Sequence, residues 1–111
     1  MIISDVKTQI YNALQELPYK VIPASDNVFA EFPTITYFIE NNYNQDHDND
    51  VYGIITLVID IWTEKSTQTY DILQEVNQAL DSIGYRLTAS NDVPNPDKTI
   101  YHLNTSYTTV L

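Results

Sequence analysis

At 111 residues the chain is long enough for one domain with a real core, and its 43% apolar content is that of a globular protein. Fifteen acids against five bases give a net charge of -10, and the bases Lys7, Lys20, Lys65, Arg86 and Lys98 are scattered. That balance argues against a binder of duplex DNA or anionic membranes, because phosphate neutralisation needs clustered Lys and Arg. The absence of cysteine excludes a disulfide framework, a thiol nucleophile and a thiolate metal site. MIISDVKTQ is not a charged leader followed by an apolar run, and no apolar stretch reaches membrane-spanning length, so a soluble intracellular protein is expected.

Val6, Ile10, Ala13, Leu14 and Leu17 recur at helical spacing after Ser4, and Pro18 stops the run, so a helix is expected over 4–17. Residues 19–22 read as a short strand before a turn at 23–27 rich in Pro, Ser, Asp and Asn. From Thr34 to Tyr43 the pattern alternates. Ile35, Tyr37 and Ile39 share one face, Thr34, Thr36 and Glu40 the other, and Phe38 breaks the rule. A second strand runs from Val51 to Thr63 with Val51, Ile55, Leu57, Ile59 and Ile61 on its core face. Its even face mixes Tyr52, Ile54, Thr56, Val58, Asp60 and Trp62, too apolar for water alone.

Ser66 opens the second helix as its expected cap; Ile72, Leu73, Val76, Ala79, Leu80 and Ile83 form its stripe, and Gly84 supplies a left-handed C-terminal cap. Residues 85–89 then alternate as a strand, 91–97 form a proline-containing turn, and 99–110 close the chain as a strand. The order helix, three strands, helix, two strands predicts a single α+β domain over 1–111. Its sheet is mostly antiparallel, with both helices on one face.

The segment NNYNQDHDND at 41–50 carries Asp46, Asp48 and Asp50 at alternate positions, as in the opening of an EF-hand calcium loop. The rest of that loop is missing, since Val51 and Leu57 stand where it needs glycine and a bidentate acid. A solvated acidic hairpin loop, ordered by a neighbouring molecule and not by calcium, is the expectation. With only Gly53 and Gly84 in the chain, a glycine-rich phosphate loop is excluded. His47 sits in that loop, and His102 reads as a partly exposed strand residue with no nucleophile placed beside it by any motif. Asp60 is either on a solvent face or paired with a base at a subunit boundary. No catalytic, metal or cofactor set emerges. Nine tyrosines and one tryptophan, several on strands, point to an interaction protein that uses Tyr52, Ile54, Val58, Asp60, Trp62 and the aspartates of the loop.

The segments AEFPTITYFIENN, VYGIITLVIDIWTEKS, YDILQEVNQALDSIGYRL and YHLNTSYTTVL, taken in order from Val6 to Val110, resemble the tail terminator or tail completion proteins of long-tailed bacteriophages. The resemblance implies a non-catalytic virion protein, assembled in the host cytoplasm, that forms a hexameric ring. Such a ring caps the tail tube, ends tube polymerisation and joins the head through a completion or connector protein. DNA would pass without specific binding, which acidic walls favour. Two alternatives stand beside it: a related connector or minor tail subunit, and an acidic inhibitor that mimics DNA, against which the dispersal of the carboxylates argues.

Overall fold

A computed structural model describes residues 3–24, 31–42 and 54–110. The elements are α1 (Ile3–Gln15), β1 (Lys20–Pro23), β2 (Thr34–Asn42), β3 (Ile54–Thr63), α2 (Ser66–Asp81), β4 (Arg86–Val93) and β5 (Tyr101–Val110). This is the expected α+β order. The five strands form one sheet in the order β1-β2-β3-β5-β4. Three of the four pairings are antiparallel, and β1 runs parallel to β2, so the sheet is mixed. Two segments that follow one another in the chain cannot pair in parallel through a tight turn, and β1 and β2 are accordingly separated by ten residues in sequence, 24–33.

Val6, Ile10 and Leu14 of α1 lie three to four residues apart and are buried, as are Ile72, Val76 and Leu80 of α2. They meet the alternate positions Ile35 of β2, Ile55, Leu57, Ile59 and Ile61 of β3, and Leu103 and Tyr107 of β5 in a single core. The period-2 reading of β2, β3 and β5 therefore selects the face that carries the helices.

Local chemistry sets the ends of α2. Its N-cap is Lys65, in extended conformation and without a side-chain cap bond, and Ser66 is the first helical residue. The expected Ser66 cap is thus displaced by one position. The Thr63 and Thr69 hydroxyls, 2.8 Å apart, instead stitch the end of β3 to the first turn, and Thr63 donates to the Lys65 carbonyl. Ser4 lies inside α1 and not ahead of it. At the other end Gly84 has φ of +90°, the left-handed conformation that the cap requires, and the Tyr85 amide returns to the Leu80 carbonyl at 3.0 Å.

The strand expected at 85–89 extends to Val93, so part of the predicted turn belongs to β4. Extension is favoured because β5 offers a regular ladder from Ala89 to Val93, and Pro94 then ends the strand by withholding a donor. The connection itself is fixed by Asp97, whose carboxylate accepts from the Thr99 amide and hydroxyl, contacts that lower its pKa from the usual carboxylate value.

Tyr107 is buried in the core and its hydroxyl donates to Asn77 Oδ1. Burial pushes the Tyr107 phenol well above the usual phenol range, and burial raises Tyr85 as well. The unfolded phenol ionises near pH ~10 while the folded one keeps its proton. The stabilisation is therefore fully present below about pH 10 and declines as pH rises through the folded pKa. Alkaline denaturation followed by circular dichroism checks this: Tyr107→Phe flattens the decline, although not wholly, because Tyr85 titrates in the same sense.

Candidate interaction surface

Opposite the helices the sheet presents a second face, built from the other half of each alternation. Thr34, Thr36, Phe38 and Glu40 of β2 stand across from Trp62, Asp60, Val58 and Thr56 of β3. On the other side of β3, His102, Asn104, Ser106 and Thr108 of β5 face those same four residues. Neither helix covers this face, because both spend their apolar stripes on the other one.

At its centre, Asp60 accepts from two neighbours on β5. His102 Nε2 lies 2.6 Å from Asp60 Oδ1, and Asn104 Nδ2 donates to the same oxygen at 2.8 Å. Both ionisable side chains are only 14% exposed. The Trp62 indole stacks on the His102 ring with centroids 3.7 Å apart and planes 10° apart, and its Nε1 donates to Thr36 Oγ1 at 3.3 Å. Three strands are thus tied together through side chains as well as through the ladder. Two hydrogen bonds on one carboxylate offset much of the cost of removing it from water, and the stack holds the imidazole against one plane. The result is a rigid platform that can meet another surface with little further ordering cost.

Asp60 was expected on a solvent face or paired with a base at a subunit boundary. It lies on the face away from the helices and is paired within its own chain, because β5 inserts beside β3 and places His102 two residues from Asn104, the register partner of Asp60, on the same face. No periodicity argument reaches that contact, since the partners lie 42 positions apart. Tyr52, Asp46, Asp48 and Asp50, together with His47, lie outside the described residues. Ile54 is exposed as expected, and Trp62 is partly buried. Val58 is on the expected face, yet it is only 7% exposed. Cross-strand neighbours Phe38 and Ser106 enclose a side chain as short as valine, so Val58 supports the surface from beneath and Phe38, 44% exposed, forms its outer layer. Phe38 was visible in the sequence as the break in its strand's alternation.

Among the described residues, no group of three or more His, Asp or Glu side chains is arranged to hold a metal ion. Among them also, no helix is long and apolar enough to cross a membrane. No protein-family model matches the chain, and no curated protein is significantly similar to it.

Proposed function

We propose that the chain is a structural subunit of a bacteriophage tail, which closes the end of the tail tube as a ring and provides the surface that the head joins. The observation that carries this reading is the sheet face that neither helix covers, where Phe38 and Trp62 lie beside the tied Asp60–His102–Asn104 centre and Ile54 is exposed at the far end of β3. A face of this composition is suited to burial against another protein: aromatic groups supply contact area, and the charged centre already has its partners. The segment order over Val6–Val110 supplies the tail context. In a ring each copy offers this face to a different surface of the next, a heterologous contact that closes when the rotation is right. The net charge of -10 suits a conduit for DNA, because like charge keeps the polyanion from adhering. The reading includes no catalytic step.

Light scattering and negative-stain imaging of the purified protein test it. The expected result is a closed ring whose mass is a multiple of the 12.8 kDa chain, and which binds the open end of a tail tube. Phe38→Glu and Ile54→Glu, at positions each 44% exposed, should remove the ring while leaving circular dichroism unchanged. A 12.8 kDa species at every concentration, or rings indifferent to both variants, would overturn the assignment.

A further inference from the structure

The two edges of the sheet are unlike. β1 is four residues long and ends at Pro23, which has no amide proton to offer. By contrast β4 is eight residues long, every one of them exposed, and among the described residues it pairs only with β5. No lysine or proline interrupts Arg86–Val93, and the one irregularity, between Leu87 and Ala89, lies near one end and leaves Ala89–Val93 regular. Such an edge is a template for another strand.

Apolar exposure is concentrated along the same edge. Of the seven large hydrophobic residues found exposed among the described residues, Tyr70, Leu87, Val93 and Tyr101 lie on β4 or on the elements beside it. A hollow of about 480 Å³ opens between the start of α2 and the end of β4, lined by Tyr70, Val93, Pro94 and Tyr101 together with Asp92. The Tyr70 hydroxyl donates to Asp92 at 2.9 Å and so shapes its wall.

We propose that β4 pairs antiparallel with β4 of a second copy about a two-fold axis at Ser90, continuing the sheet across the two chains. The strand's own pattern selects that partner. Leu87, Ser90 and Asp92 face the helix side, since they pair with Tyr107, Thr105 and Leu103, while Arg86, Ala89, Asn91 and Val93 face the open side. With Thr88 left in the bulge, a dyad at Ser90 sets Asp92 opposite Leu87, Asn91 opposite Ala89 and Val93 opposite Arg86, and each pair shares a face. Each exposed Leu87 then enters the hollow beside Asp92 of the other chain, and each Arg86 stands opposite the other chain's Val93 on the open side. No like charges meet, although each chain carries -10 overall. The contact is self-complementary, as an isologous interface must be. It is distinct from the ring contact on the open sheet face.

The chain contains no cysteine, so a single introduced thiol reports on one position. Residues directly opposite in an antiparallel pair have Cβ atoms about 4.5–5.5 Å apart, close enough for small shifts to form a disulfide. Mild oxidation of Ser90→Cys should give a covalent dimer in high yield, at least ten times faster than Lys7→Cys on the exposed side of α1. Ser90→Lys, which sets two ammonium groups face to face, should weaken pairing at least tenfold with unchanged circular dichroism, and should halve the mass of any assembly that contains the pair. Phe38→Glu should leave the pair intact while removing rings, so loss of one contact is readable without the other. Equal cross-linking of Ser90→Cys and Lys7→Cys, or unchanged mass in Ser90→Lys, overturns the proposal. So does a monomeric parent whose β4 amides exchange freely, a result that would leave this edge to a strand from another protein.

Discussion

Leu80→Ala is expected to destabilise the fold by roughly 2–5 kcal/mol, the range for truncating a fully buried leucine. Leu80 is completely buried on α2 and belongs to the same core as Ile72, Val76, Tyr85 and Tyr107. Its carbonyl also receives the Ile83 and Tyr85 amides at the helix end, so the backbone around it is held and closes poorly over a void. The cost is the lost transfer energy plus that of the residual cavity, and the second part is large when surroundings cannot relax. Small domains have about 5–15 kcal/mol in total, so this one change removes a large share of it. Thermal melts followed by circular dichroism should move down by more than 10 °C, on the order expected for a chain of this size. Gln78→Ala, on the exposed side of the same helix, should move little. A parental melting curve for Leu80→Ala would mean that the α2 stripe is not packed as described.

Val58→Asp should be more damaging, and its failure should be one of folding and not merely of assembly. By periodicity alone the position looks like a surface on which a charge would block association and spare the fold. The structure places Val58 at 7% exposure between Phe38 and Ser106, neither of which carries a positive charge, and Asp60 follows two residues later on the same face. The substitution loses apolar burial, removes a charge from water without a base beside it, and adds repulsion from Asp60. Such combinations cost more than about 4 kcal/mol. The expected outcome is loss of the cooperative urea transition, or a midpoint shifted close to zero denaturant. Phe38→Glu, on the neighbouring strand but 44% exposed, should retain the parental transition within about 1 kcal/mol. If Val58→Asp keeps the parental midpoint, the residue is solvent-exposed and the enclosure by its neighbours is wrong.

That contrast marks the boundary between what the sequence carries and what folding adds. Local periodicity determined that Ile35, Ile55, Leu57, Ile59, Ile61 and Leu103 share the helix-bearing face, because side chains on a strand must alternate whatever their neighbours are. It also determined the stripes of both helices and the need for Gly84 at a left-handed position. Tertiary structure decided the rest. The placement of β5 between β3 and β4, the parallel entry of β1 and the exposure of β4 are choices of partner, which the pattern of a single strand does not state. The Asp60–His102–Asn104 centre exists only through that pairing, as does the shielding of Val58. A single strand's pattern states which way each side chain points, whereas how deeply it is buried and what it bonds to depend on the strand beside it.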